Sequence, residues 1–149
     1  MRIEVALKGV TRLAFDTSPI LYFVEENLNY LQLMNQIFQQ IDDGEIIAIT
    51  YTISVIELLV IPIRTGNHML TAQYTDLLID SGFFLTYGIT PDIAKTGAEL
   101  RAKYALKTPD ALQLAVAIQS GCQAFLTNDK DLLRVTELKV LLVGSLSLN

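Results

Sequence analysis

Carboxylates are the side chains of this sequence that could do chemistry together. Asp16, Glu57, Asp110 and Asp129 follow one another at intervals of 41, 53 and 19 residues, and Asp131 comes two residues later. Carboxylate oxygens bind hard divalent cations, and a bound cation can activate water for hydrolysis. The intervals are too long for one local motif, so only the fold could bring these acids together.

The surroundings of two of these acids favour a shared site. Glu57 is embedded in "VIELLV", and Asp110 starts a helical segment that is apolar almost all round. Carboxylates in such surroundings are rarely buried without a partner charge or a metal ion. Two carboxylates about 5 Å apart repel by roughly 3 kcal/mol at an effective dielectric near 20, and a divalent cation would offset that repulsion.

The rest of the composition restricts the choice of metal. The sequence holds one histidine and one cysteine, His68 and Cys122. His68 is predicted to be a surface residue, and Cys122 a small core residue. An all-oxygen ligand set remains, and it favours Mg²⁺ or Mn²⁺ over zinc.

Each acid also has a local interpretation. Asp16 would help to cap the helix that starts at Ser18-Pro19, with Ser18 as the expected N-cap. Ser54 and Glu57 match the spacing of a capping box, in which Glu57 bonds back to the Ser54 amide. Taken one at a time, these positions are better explained by helix starts than by a site.

The later acids leave the same alternative open. Asp110 lies in the first turn of a helix that begins at Thr108-Pro109, where a carboxylate suits the helix dipole. Asn128-Asp129 is an ordinary turn pair. The residues alone therefore leave two interpretations, four separate caps and turns or one shared site.

Strands and helices alternate along the chain and would position these acids. Strands are predicted over 12–15, 46–50, 83–87, 124–127 and 139–143, and helices over 18–26, 28–41, 54–62, 68–80, 91–104 and 108–121. Strands that are apolar on both faces and alternate with helices indicate an α/β fold with a mostly parallel sheet covered by helices. Sites in such sheets form at the carboxyl ends of strands, where all of these acids fall.

Composition bounds the class of protein. The 149 residues are 51% apolar and contain no repeat or linker, so they are predicted to form one domain, 1–149. A net charge of −5 counts against a broad basic nucleic-acid surface, but not against an enzyme that meets phosphate through bound cations. The mean hydropathy of +0.39 favours an apolar surface that is covered by a partner or a second copy. Residues 46–63 are too polar for a membrane span and no signal-peptide core is present, so we expect a cytoplasmic protein with no membrane contact.

The chain resembles the PIN-domain family, and within it the VapC-like ribonuclease toxins. Four blocks carry the resemblance: "LAFDTSPILYFVE", "YTISVIELLVIPI", "LKTPDALQLAVAIQSGCQAFLTNDKDL" and "LKVLLV". In this order and spacing they cover nearly the whole chain from residue 12. The resemblance implies a three-layer α/β/α sandwich whose acids bind Mg²⁺ or Mn²⁺ and which cuts single-stranded RNA.

The resemblance also assigns roles to residues. Asp16, Glu57, Asp110 and Asp129 match the four family acids as catalytic residues and metal ligands, and Asp131 matches an additional or substitute ligand. Asp129 is favoured over Asp131. Thr17 and Thr127, whose hydroxyls lie beside these acids, look like substrate-orienting residues, although an inward-facing strand residue is an equal interpretation of Thr127.

Partners and alternatives complete the hypothesis. The resemblance implies a homodimer, a small antitoxin protein and an RNA substrate, either single-stranded or structured. Residues 1–11 stand outside the resemblance and are interpreted as an extra strand, a partner-binding segment or a misassigned start. The alternatives are a catalytically inactive protein-interaction module of the same fold and a metal-dependent nuclease that acts on DNA. The basic residues available for phosphate, if not simply solvated, are Arg12, Arg64, Arg101, Lys103, Lys107 and Lys130.

Overall fold

A five-stranded sheet, with all strands parallel, forms the centre of the protein. The computed structural model describes residues 1–148. Its strands are β1 (Arg12–Phe15), β2 (Ile47–Tyr51), β3 (Phe84–Tyr87), β4 (Ala124–Thr127) and β5 (Lys139–Leu142), in the spatial order β3-β2-β1-β4-β5. In register, Ala14 of β1 lies opposite Ile49 of β2 on one side and Phe125 of β4 on the other.

Within residues 1–148, seven helices cover the two faces of this sheet. They are α1 (Ile3–Ala6), α2 (Thr17–Val24), α3 (Leu31–Asp42), α4 (Thr52–Arg64), α5 (His68–Thr75), α6 (Pro91–Tyr104) and α7 (Thr108–Gln119). A π-helical turn (Asp76–Asp80) extends α5, and 3-10 turns span Lys130–Arg134 and Val143–Ser145. The predicted three-layer α/β/α sandwich is confirmed.

The alternation of side chains along the strands divides the core in two. Phe15 and Leu126 point to the face covered by α1 to α5, where Phe38 of α3 is buried. Ala14 and Phe125 point to the opposite face, which α6 and α7 cover. Both faces of the central strands are therefore buried, as the apolar strand sequences require.

Four predicted helix boundaries are wrong, and one of them is the start of α3, which lies at Leu31 rather than at residue 28. Helix α2 begins at Thr17, and its N-cap is Asp16 rather than Ser18, because the Asp16 carboxylate accepts the Thr17 N–H. Helix α4 begins at Thr52, so Ser54 lies inside it and is not the first residue of a capping box. Pro62 does not end α4. It lies in the last turn, where a missing N–H removes a single helical hydrogen bond.

The first ten residues pack against the carboxyl end of the chain. Arg2 forms an isolated parallel bridge with Ser147, and the Ile3 amide donates to the Ser147 carbonyl at 2.8 Å. Ile3 and Ala6 of α1 are fully buried in the core. None of the helices within residues 1–148 combines the length and apolarity needed to cross a membrane.

The strand order sets the position of a crevice. From β1 the chain builds outward through β2 and β3, and then returns through α6 and α7 to place β4 on the other side of β1. The carboxyl ends of β1 and β4 therefore flank the point where the strand order reverses. Crevices at such points are where parallel sheets bind ligands.

Candidate active site

Asp16 lies at this crevice and is held from two strands. Its amide donates to the Leu126 carbonyl of β4 at 2.9 Å, which continues the β1–β4 pairing by one residue. Its Oδ1 accepts the Thr17 N–H at 2.7 Å, and its Oδ2 accepts the Thr127 hydroxyl at 2.7 Å. Asp16 thus caps α2, as its local interpretation predicts, and it is also fixed to β4 across the crevice.

Glu57 is joined to the same region through Thr17. The Thr17 hydroxyl donates to Glu57 Oε2 at 2.6 Å and lies 3.1 Å from the Ser54 hydroxyl. Because Thr17 gives its only hydroxyl proton to the carboxylate, Ser54 must be the donor in the second bond. The capping-box interpretation of Ser54 and Glu57 is wrong, since the Glu57 carboxylate bonds across to α2.

Ser54 is a site residue that sequence reasoning missed. It is fully buried, and its hydroxyl supports the Thr17 hydroxyl that holds Glu57. The sequence signal that could have identified Ser54 is its spacing of three residues from Glu57, since residues three apart on a helix lie on the same face. Ser54 therefore had to face the same neighbours as Glu57.

Asp110 reaches the crevice from the first turn of α7. Its side chain is half-buried, and loss of solvation raises its pKa above the ordinary aspartate value. The negative charges of Asp16, Asp129 and Glu57 raise the pKa further, while Lys107 lowers it. The other three acids therefore lie within electrostatic reach of Asp110, and we call Asp16, Glu57, Asp110 and Asp129 the acidic edge.

Asp129 and Asp131 differ in their local roles. The Asp129 amide donates to the Thr127 hydroxyl at 3.0 Å, and Asp129 Oδ1 accepts the Asp131 N–H at 2.9 Å. Asp129 thus caps the 3-10 turn that follows β4, and Asp131 lies inside that turn. The charge of Asp129 raises the pKa of Asp110. The preference for Asp129 over Asp131 as a metal ligand stays a prediction.

Thr127 is an inward-facing strand residue, as one of its two interpretations holds, and its role in orienting substrate stays a prediction. It is a fully buried strand residue, and its hydroxyl links Asp16 to the Asp129 amide. His68 is exposed and Cys122 is buried, as the sequence predicts.

Tyr51 is a second residue that sequence reasoning missed. It ends β2, is only 1% exposed, and its hydroxyl donates to the Pro109 carbonyl at 3.3 Å. Burial raises its pKa, and the charges of Glu57, Asp16 and Asp110 raise it further. The hydroxyl therefore stays protonated and ties the start of α7, which carries Asp110, to the end of β2.

Comparison with known families agrees with this architecture. The model of the PIN domain matches residues 13–138, which include all four acids of the acidic edge. The chain belongs to the PIN-domain family. The comparison with curated proteins found no match.

Solved structures share the PIN fold. A structure of VapBC2 from Rickettsia felis, bound to a DNA fragment from the promoter, superposes with a TM-score of 0.68 at 14% identity. That alignment covers 87% of this chain and 97% of the other. A toxin–antitoxin complex from Klebsiella pneumoniae gives a TM-score of 0.63 at 23% identity, covering 88% and 97%.

The donor chemistry of this PIN domain suits a hard divalent cation. Within residues 1–148, no group of three or more His, Cys, Asp and Glu side chains is placed to hold a metal ion. Both carboxylate oxygens of Asp16 and one of Glu57 are instead taken by threonine and backbone donors. Mg²⁺ is commonly held by one or two carboxylates with several waters, so a three-ligand cage is not required. Lost solvation, and after it the charges of the neighbouring carboxylates, raise the pKa of Asp110, and a nearby cation would offset both.

Tyr51→Phe is expected to lower the affinity for Mn²⁺ about fivefold, because one neutral hydrogen bond of about 1 kcal/mol no longer fixes the start of α7. A thermal-shift titration with Mn²⁺ measures the affinity. Tyr74→Phe is the matched control, since Tyr74 is equally buried but donates to Glu25 at the far end of α2. The control should lower the melting temperature and leave the Mn²⁺ affinity unchanged. Equal Mn²⁺ affinities in the two variants would contradict the positioning role.

Proposed function

We propose that this PIN domain is a metal-dependent endoribonuclease that hydrolyses phosphodiester bonds of single-stranded RNA. The observation that carries the proposal is the acidic edge itself. Its four carboxylates come from separate segments of a PIN fold, and three of them raise the pKa of the fourth, Asp110. A charge arrangement that opposes folding is typical of a functional site.

Each residue of the acidic edge has a role in the proposal. Asp16, Glu57, Asp110 and Asp129 are the proposed ligands of Mg²⁺ or Mn²⁺, with Asp131 as an additional ligand. When bound, the cation supplies positive charge for the phosphate oxygens and a water of lowered pKa as the nucleophile.

The neighbouring hydroxyls orient the acids of the edge. Thr17 fixes Glu57, and Thr127 fixes Asp16, so both carboxylates are held before substrate arrives. No histidine takes part, because His68 is an exposed residue at the start of α5.

The biological setting is proposed to be a toxin–antitoxin pair in the cytoplasm. Two structures of similar fold are complexes of this kind, which supports a small antitoxin as the partner of this chain. Helix α4 exposes Ile56, Val60 and Ile63, which are 63%, 47% and 62% accessible. Their apolar surface is suited to an antitoxin contact or to a homodimer.

A second candidate is a non-catalytic PIN module that works through protein contacts. The observation in its favour is that no three candidate ligands within residues 1–148 are placed together as a metal site. This candidate predicts no thermal stabilisation by Mg²⁺ or Mn²⁺ and no cleavage of nucleic acid.

The deciding experiment measures cleavage of single-stranded RNA and single-stranded DNA with Mg²⁺ or Mn²⁺. We expect RNA cleavage that EDTA abolishes and added metal restores. Asp16→Asn should lower the rate by about 10³-fold, since metal charge contributes several kcal/mol to such transition states. Asp42→Asn, an exposed acid at the end of α3, is the control and should cut normally. Activity that survives EDTA or Asp16→Asn would refute the proposal, and preferential cleavage of DNA would change the substrate.

A further inference from the structure

Basic side chains are concentrated beside the acidic edge. Residues 100–109, which span the end of α6, the loop after it and the start of α7, contain three basic residues and no acidic one. The 3-10 turn after β4 contributes two more. We call this set the basic rim: Arg101, Lys103, Lys107, Lys130 and Arg134. It holds five of the eleven basic residues of a chain whose net charge is −5.

Hydrogen bonds join the two segments of the basic rim into one surface. Arg134 donates from Nη1 to the Tyr104 carbonyl at the end of α6 and from Nε to the Asp131 carbonyl at 2.9 Å. Arg101 donates to the Leu106 carbonyl at 2.8 Å and to the Thr108 hydroxyl at 3.1 Å. The arginines thus fix the loop between α6 and α7 against the turn that follows Asp129.

The lysines of the rim are distributed differently. Lys103 lies 3.6 Å from Glu137 and 5.1 Å from the centre of the Tyr104 ring, so part of its charge is already balanced. Lys107 and Lys130 are exposed, and no hydrogen bond or ion pair engages their side chains in the part of the chain that the structure describes. Lys107 immediately precedes α7 and acts electrostatically on Asp110, while Lys130 directly follows Asp129.

The other basic residues considered from the sequence lie elsewhere. Arg12 donates to the Ser120 carbonyl and the Tyr87 hydroxyl at the start of β1, away from the carboxyl ends of the strands. Arg64 is the last residue of α4, a helix that begins at the carboxyl end of β2 and leads away from it. Within residues 1–148, a group of cations therefore lies on only one side of the acidic edge.

We propose that the basic rim is the surface that contacts the phosphate backbone of single-stranded RNA and leads it to the acidic edge. This inference rests on the proposed function. An acidic edge repels a polyanion, and basic side chains next to it offset that repulsion for the phosphates beyond the metal site. Lys107 and Lys130 occupy that position. Lysine contacts to phosphate supply affinity without reading the base sequence.

The test uses the double variant Lys107→Gln/Lys130→Gln. We expect its KM for single-stranded RNA to rise about tenfold while kcat changes less than about twofold, because the substitutions remove binding charges but no acid. In the Asp16→Asn background, fluorescence anisotropy of a labelled oligouridylate gives the affinity at several salt concentrations. The slope of log affinity against log salt should fall by about 1.4, or about 0.7 for each lost phosphate contact.

Lys8→Gln/Lys95→Gln is the matched control. It makes the same change in net charge with exposed lysines near the starts of β1 and α6, at the opposite edge of the sheet. It should leave KM and the salt slope unchanged, and Lys107→Arg/Lys130→Arg should restore both. Equal KM values and equal salt slopes in Lys107→Gln/Lys130→Gln and in the control variant Lys8→Gln/Lys95→Gln would overturn the inference, even if the protein cleaves RNA. A wild type that binds RNA through these lysines but does not cut it would refute the proposed hydrolysis and leave the inference standing.

Discussion

Asp110→Asn is expected to stabilise the metal-free protein and to abolish hydrolysis. The half-buried Asp110 carboxylate is opposed by lost solvation and by the charges of Asp16, Asp129 and Glu57. Asparagine has nearly the same shape but no charge, so the substitution removes that cost while it removes a proposed ligand. We expect a higher melting temperature in EDTA and an RNA cleavage rate about 10³-fold lower.

The stabilisation should depend on pH in a defined direction. The pKa of Asp110 is raised in the folded protein, so the folded protein binds a proton at Asp110 more tightly than the unfolded chain does. The ionised carboxylate therefore destabilises the fold above its raised pKa. As the pH falls through that pKa, the wild-type Asp110 becomes protonated. The advantage of Asp110→Asn should then shrink, as melting curves of both proteins in EDTA would show.

The chain offers a closely matched control for this substitution. The tripeptide Thr-Pro-Asp occurs twice, at 90–92 and at 108–110, and both times it lies at a helix start. Asp92 is exposed, and its carbonyl accepts from Gln119 at the far end of α7. Asp92→Asn should lose only about 0.3–1 kcal/mol of helix-dipole stabilisation and keep full activity. If Asp110→Asn behaved like Asp92→Asn, Asp110 would be a helix-start residue and nothing more.

The sequence predicts the elements that carry the acidic edge because their signals are local. Apolar runs mark the strands, and Thr90-Pro91 correctly predicts the start of α6, with the Thr90 hydroxyl accepting the Ile93 N–H. Alternation of strands and helices then requires a parallel sheet, which places residues after β1 and β4 at the same edge. The location of the candidate site follows from these rules.

The contacts within the site could not be predicted in the same way. Thr17 bonds to residues 37 and 40 positions away, and the Tyr51 hydroxyl bonds 58 positions away. Such contacts depend on side-chain rotamers and on how helices sit on the sheet, which residue types alone do not determine. The choice between Ser18 and Asp16 as the N-cap of α2 also depends on backbone and side-chain conformation. Asp16 directly follows β1 and has an extended backbone, and in this conformation the Asp16 carboxylate accepts the Thr17 N–H.

Phe38→Ala is expected to cost about 4 kcal/mol of unfolding free energy, because truncating a buried phenylalanine removes its transfer energy and leaves a cavity. The Phe38 ring stacks on Phe23 at 3.7 Å and contacts Phe83, Phe15 and Phe84 at 5.3, 5.6 and 6.0 Å between ring centres. Domains are stable by only about 5–15 kcal/mol, so the loss is a large share of the total. Urea denaturation measures it, and Phe38→Leu, which retains most of the volume, should lose about 1.5 kcal/mol.

This packing also connects the core to the acidic edge. Phe15 is the last residue of β1 and Phe23 belongs to α2, so the Phe38 ring braces both elements that flank Asp16. Phe38→Ala should therefore weaken Mn²⁺ binding even at temperatures where the protein remains folded, whereas Phe38→Leu should not. The Mn²⁺ affinity of each variant, measured well below its melting temperature, tests this connection. An unchanged affinity in folded Phe38→Ala would show that the hydrogen bonds of Asp16 to Thr17 and Thr127 hold the carboxylate without help from the aromatic core.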